Sequence, residues 1–119
     1  MSEEGELKVW RSKLAPTARG AIFRAKRWFY ATFYAKGDPD KREISKQNWA
    51  QLARKLVEET NREGVSDKGA RVIIYYRDDD GIFKPIRAEV EVYNLNPIKT
   101  LTIIPGEESE EASVEEVEE

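Results

Sequence analysis

Neither cysteine nor histidine occurs in these 119 residues, and methionine occurs once. Without cysteine there is no disulfide framework, no thiolate metal site and no thiol nucleophile. Without histidine the commonest metal ligand and the usual general base are missing, so imidazole-bound zinc and histidine-based triads fall away too. Long apolar runs are also lacking. Nothing approaches the roughly 20 residues of a membrane-spanning helix, and the acidic start Met1-Ser2-Glu3-Glu4 does not read as a signal peptide. These absences predict a soluble, cytoplasmic, non-catalytic chain that uses no metal and no cofactor and does not enter a membrane. Its length fits one domain.

Charge, by contrast, is abundant. Charged residues make up 36% of the chain, against about 25% in an average domain. The net charge of −3 conceals their segregation. Eight glutamates and no cation lie in residues 107–119, and three more glutamates lie in residues 1–6. Setting those 11 aside from the 23 acids leaves 12 in residues 7–106, against all 20 lysines and arginines. Residues 7–37 hold Lys8, Arg11, Lys13, Arg19, Arg24, Lys26, Arg27 and Lys36 with no acid among them. A basic body beside an acidic tail points to a polyanionic partner.

The pattern predicts an α+β domain: an antiparallel twisted sheet of about five strands with one main amphipathic helix on one face. Residues 6–14 read as a first strand closed by Ala15-Pro16, and Gly37-Asp38-Pro39-Asp40 reads as a turn. Residues 46–63 read as the helix. Ser45 is placed as its N-cap, Ile44 and Trp49 as a hydrophobic staple, and Gly64 as its stop. Trp49, Leu52, Ala53, Leu56 and Val57 form one apolar stripe, which assigns Trp49 to the core.

Residues 70–77 and 82–93 read as a hairpin closed by Asp78-Asp79-Asp80-Gly81. Ile82, Ile86, Ala88, Val90 and Val92 are expected on one face of its second arm. Pro85 marks a bulge or an edge. The three aspartates lack the remaining ligands of a calcium loop and suit a turn. A last strand is expected over residues 98–104 after the turn Asn94-Leu95-Asn96-Pro97. The domain division is an acidic flexible head (1–6), the folded body (7–106) and a disordered acidic tail (107–119).

Function is concentrated in residues 21–36. Read as a strand or a bent strand pair, the odd positions (Ala21, Phe23, Ala25, Phe29, Ala31, Phe33, Ala35) are apolar apart from Arg27. The even positions carry Arg24, Lys26, Trp28, Tyr30, Thr32, Tyr34 and Lys36. Unpaired bases stack on Trp and Tyr for about 1–3 kcal/mol each. Phosphates bind Lys and Arg and release counterions. The i, i+2 spacing of a strand, about 6.6–6.8 Å, suits successive unstacked bases. Lys8, Trp10 and Lys13 on the first strand, with Arg71, Tyr75 and Arg77 on the hairpin, are expected to extend the same face. A helical reading of this stretch puts Phe23, Arg27 and Tyr30 on one face and shows no clean stripe.

The basic, aromatic stretch Arg24-Ala25-Lys26-Arg27-Trp28-Phe29-Tyr30 resembles the ThermoDBP-type single-stranded-DNA-binding domain of hyperthermophilic archaea. That resemblance is one of pattern over residues 7–106. It implies sequence-tolerant binding to single strands, homo-oligomerisation and an archaeal, thermophilic source, but the tail lacks the leucine heptads of members that pair through a C-terminal coiled coil. Ile74-Tyr75-Tyr76-Arg77-Asp78-Asp79-Asp80-Gly81-Ile82-Phe83-Lys84-Pro85 and Ile44-Ser45-Lys46-Gln47-Asn48-Trp49 are similar, in reversed order, to elements of the positive-cofactor-four coactivator family. The expected function is binding of single-stranded DNA, with RNA as an alternative ligand, by a homo-oligomer, most simply a dimer. The rival is an interaction module whose aromatic face meets another protein or subunit.

Overall fold

A computed structural model describes residues 5–106 of the chain. The expected tail, residues 107–119, and the first four residues of the expected head lie outside the described residues. The elements run β1 (Leu7–Arg11), α1 (Ala18–Phe29), a π-helical turn (Tyr30–Tyr34), α2 (Pro39–Arg62), β2 (Gly69–Asp79) and β3 (Ile82–Tyr93). The class is α+β, but the expected five-stranded sheet is not formed. The sheet has three antiparallel strands in the order β1-β2-β3, and two helices rather than one pack on it.

Residues 21–36 are the main correction, since all but the last two belong to α1 and its π-helical turn. Thr17 is extended and its hydroxyl accepts a hydrogen bond from the Gly20 N–H at 2.9 Å, which caps α1. From there Ala18, Ala21, Ile22, Ala25, Phe29 and Phe33 are buried, one stripe at helical spacing. Alanine favours the helix and lets its backbone approach the sheet closely. Lys26 and Arg27 lie in the last turn, where cations meet the negative end of the helix dipole. The odd positions of the strand reading thus split: Phe29 and Phe33 are buried, whereas Phe23, Arg27, Ala31 and Ala35 are exposed.

The second helix starts seven residues earlier than expected. Asp38 caps it by accepting the Lys41 N–H at 3.0 Å, and Pro39 fills the first turn, so the apparent turn signal is a helix start. Ser45, expected as the cap, is fully buried inside the helix and its Oγ accepts the Phe83 N–H at 2.9 Å. One turn on, Asn48 donates to the Phe83 carbonyl at 2.8 Å. The staple between Ile44 and Trp49 has no cap to sit against, and Ile44 is exposed. Trp49 is core, as expected, and Gly64 ends the helix with φ +72°.

The hairpin matches its reading closely. Asp80 (φ 54°) and Gly81 (φ 91°) make a two-residue turn, which requires positive φ at both positions. Gly81 N–H donates to Asp78 Oδ1 at 2.8 Å, Asp79 pairs with Lys84 at 2.8 Å and Asp80 with Lys41 at 2.9 Å. Each aspartate is thus occupied by the turn or by a cation. Ile86 is the extra residue of a bulge, since Tyr75 faces Arg87 while Tyr76 faces Pro85. The bulge shifts the phase of β3, so Phe83 rather than Ile82 enters the core ahead of Ala88 and Val90.

Beyond Tyr93 no strand forms. Residues 94–104 run without turn or bend and every one of them is exposed, so the expected strand over residues 98–104 is not seen.

Candidate nucleic-acid interface

Helical winding distributes the expected binding residues over three surfaces. On a helix, residues four apart share a face and residues two apart do not. Arg24 and Trp28 therefore turn toward β1, whereas Lys26 and Tyr30 turn toward α2. The strand face expected to carry them all does not exist.

The first surface is a cleft between β1 and α1, about 470 Å³ in volume, lined by Trp10, Arg11, Ser12, Lys13, Arg24, Arg27 and Trp28. Trp10 sits on β1 opposite Ile74, on the side of the sheet that bears the helices. Its indole stacks on Trp28, with ring centroids 4.9 Å apart and 14° between planes. Trp28 in turn meets Tyr76, Phe83 and Phe33 edge-on at 5.1, 6.0 and 6.1 Å. Trp10 has no second ring beside it among the described residues, so it ends a column of aromatics that starts in the core. Tyr76 is buried beneath that column. Burial, with the nearby Asp78 charge second, raises its phenol above its ordinary value.

Cations surround this column. Lys13 follows β1, and Arg24 and Arg27 project from α1. Lys8 stands two residues before Trp10 on the same face of β1, exposed. None of Lys8, Arg11, Lys13, Arg24 and Arg27 makes an ion pair among the described residues, and no acid lines the cleft. Arg27 instead lies over the exposed Phe23 ring at 5.7 Å. The structure thus brings together Trp10, Lys13, Arg24 and Trp28 in the cleft, with Lys8 outside its lining on the same face of β1. It adds Arg27, which a strand period assigns to the opposite face. Arg11 borders the cleft but stands opposite Ile73, so its strand register turns it to the helix-free side.

A second cleft of similar volume lies on the other flank of α1. Arg19, Phe23, Lys26 and Tyr30 face Lys46 across a floor that includes Trp49, again with no acid in the lining. Tyr34 packs on Tyr30 at 5.1 Å and lies under the Arg42 guanidinium at 5.1 Å. Lys36 is exposed beyond the π-helical turn. Arg19 and Lys46 are missed by a reading confined to alternation. The signal that finds Arg19 is the acid-free run of cations at helical spacing.

Arg71, Tyr75 and Arg77 form the third group and are separate from both clefts. They point to the helix-free face of the sheet, opposite Val72, Ile74 and Tyr76, as expected for their strand. That face does not join the indole cleft, and Tyr75 and Arg77 are already engaged there. Arg87 lies over the Tyr75 ring at 4.1 Å, Tyr75 Oη is 3.3 Å from Glu89, and Arg77 donates to the Gly5 carbonyl at 2.8 Å. These three residues are removed from the candidate site.

Among the described residues no three acidic side chains come together as a metal ion would require, and no helix is long and apolar enough to cross a membrane. No protein-family model, curated protein or solved structure matches the chain.

Proposed function

We propose that this chain is a sequence-tolerant binding protein for single-stranded nucleic acid, DNA in the first place, acting in the cytoplasm. One observation carries the reading: a stacked indole pair ends at the surface in an acid-free cleft ringed by unpaired cations. A base that stacks on Trp10 extends the aromatic column by one ring. Its flanking phosphates then fall among Lys13, Arg24 and Arg27, whose charges no carboxylate neutralises. The second cleft offers Tyr30 with Arg19, Lys26 and Lys46 for the continuing strand across the α1 ridge. Binding of this kind reads base faces and backbone charge, so it tolerates sequence.

The same helix also supports a second reading. Arg19, Arg24, Lys26 and Arg27 make α1 an acid-free basic rod, the shape that enters the major groove of a duplex. A duplex, however, offers no unstacked base to Trp10. The test is a titration of labelled oligothymidylate, its duplex and the matching RNA at low and at physiological salt. Single-strand preference, quenching of indole fluorescence and a log–log salt slope of about −2 to −3, for three or four phosphates, are expected. Equal or tighter duplex binding transfers the function to the rod. No binding to any of the three, or binding that ignores salt, replaces it with a protein-facing aromatic surface.

A further inference from the structure

We infer that residues 98–104 form an exchanged strand that pairs with the open edge of β3 in a second copy of this chain and fills the groove between that copy's α2 and β3. The inference begins with an unusual exposure. Ile98, Leu101, Ile103 and Ile104 are 95, 71, 79 and 61% exposed, in a straight segment that leaves the domain. Such a concentration of bare branched side chains marks an interaction surface, and the segment Ile98-Lys99-Thr100-Leu101-Thr102-Ile103-Ile104 is strongly strand-forming.

A receptor of matching length and chemistry exists on the fold. The groove between the C-terminal half of α2 and β3 holds about 540 Å³ and is lined by apolar side chains including Leu52, Leu56, Val65, Ala88, Val90 and Val92. Residues 86–92 of β3 form its wall, seven residues against the seven of the arm. The backbone there is also unpaired on one side. Val72 and Ala70 direct their own carbonyls toward the β1 side, to Ser12 and Ala15. Their partners across the hairpin are Val90 and Val92, and Ile74 faces Ala88. In an antiparallel ladder those opposite residues cannot also be the hydrogen-bonded pairs of β2 and β3, so the N–H and C=O of Ala88, Val90 and Val92 point outward. A sheet edge of this kind accepts an added strand.

The edge is not open along its whole length. At Phe83 both outward groups are taken by Ser45 and Asn48 of α2, and Pro85 has no N–H to offer. Only the half beside the apolar groove can be extended. An added strand is thereby confined to one position.

The chain's own arm is carried away from this receptor. A side chain at Gly69 would meet the Leu95 methyl at 2.6 Å, so Leu95 lies directly on Gly69. Gly69 shares its face with Arg71 and Ile73, the side of the sheet without helices. The arm therefore leaves by the face opposite the groove. Occupation by a second copy needs no reversal, and reciprocal exchange closes a two-fold dimer.

The test is light scattering with sedimentation on the full chain, with Leu101→Asp/Ile103→Asp as the arm variant and Ile86→Glu as the groove variant. All three positions are exposed in the single chain, and far-UV circular dichroism checks that each variant keeps its fold. A dimer is expected for the parent, with the dissociation constant raised at least about tenfold in either variant. Absence of native cysteine allows a second readout with a short bis-maleimide. Chains carrying Val90→Cys and chains carrying Ile103→Cys, once mixed, should cross-link to each other. A monomeric parent at high concentration overturns the inference. So does a dimer that ignores both charge variants, or a Val90→Cys/Ile103→Cys chain that cross-links only within itself at high dilution.

Discussion

Trp10→Ala is the perturbation that separates binding from folding. Trp10 is the outer ring of the column, half-buried and touching one other ring, whereas Trp28 touches four. Removing a fully buried Trp costs about 3–5 kcal/mol. A half-buried one should lose roughly half of that, about 2 kcal/mol, including the stacking contribution of about 0.5–1.5 kcal/mol. In a domain of about 100 residues this lowers Tm by roughly 8–16 °C and leaves the protein folded at 25 °C if its stability is ordinary. Loss of one base-stacking platform is worth about 1–3 kcal/mol, a rise in Kd of roughly 5- to 150-fold. Anisotropy of a labelled oligothymidylate measures this directly, with circular dichroism on the same sample confirming the fold. Trp10→Phe should recover part of the affinity because a smaller platform remains. Trp28→Ala, at a residue also half-buried but touching four rings rather than one, should lower stability more than Trp10→Ala does. A folded Trp10→Ala protein that binds oligothymidylate with unchanged Kd would refute the assignment of the cleft.

Lys13→Ala combined with Arg24→Ala should reduce the steepness of the salt dependence by about 1.4 in log–log slope, since each cation released from a phosphate contributes about 0.7. A parallel shift with unchanged slope would mean that neither touches the backbone. Ser45→Ala should destabilise the fold by about 1–3 kcal/mol, read by urea unfolding, because the buried Phe83 N–H loses its acceptor. A midpoint within error of the parent would show that another group has taken that bond.

The hairpin was legible nearly to the residue because its signals are local. Asp80-Gly81 fixes the turn and the β-branched runs fix the strand bounds, whereas the phase shift at the bulge, which exchanges Phe83 for Ile82 in the core, was marked only by Pro85. The segment after Pro16 was not legible for a geometrical reason. Ala21, Ala25, Phe29 and Phe33 are spaced by four, an even number, so they lie together on one face of a strand as well as along one face of a helix. What decides between the two is Thr17 at the cap, the length of the run and the small buried Ala18 that opens the stripe. The indole pair was out of reach in principle. Trp10 and Trp28 could each be nominated as aromatic residues beside cations, but their contact depends on how β1 docks against α1. Arg71, Tyr75 and Arg77 were placed on the correct face of their strand and yet away from the cleft, because α1, which carries Arg24 and Trp28, packs on the other face of this sheet. The last expected strand had the right composition and no neighbour within its own chain.

The short strand β1 has a kinetic consequence. Its ladder joins residues 62 to 70 positions apart, whereas the hairpin and both helices close through neighbours in sequence. Bringing such distant partners together carries the largest loop-closure entropy in the fold. β1 should therefore dock last and detach first. Trp10 rides on it, so the cleft is assembled and dismantled with this one edge strand, while the rest of the domain stays folded. A nucleic acid held on Trp10 ties the strand down, and at a hundredfold excess over Kd that linkage is worth about 2.7 kcal/mol. Amide exchange at Lys8 and Trp10, whose pairs with Tyr76 and Ile74 are the hydrogen-bonded ones of this ladder, should slow by up to about a hundredfold on saturation, far more than in the already protected centre of β2. Uniform slowing across the domain would show instead that β1 opens only with global unfolding. On this account the chain takes hold of a strand by completing its own sheet, and release begins at the same five residues.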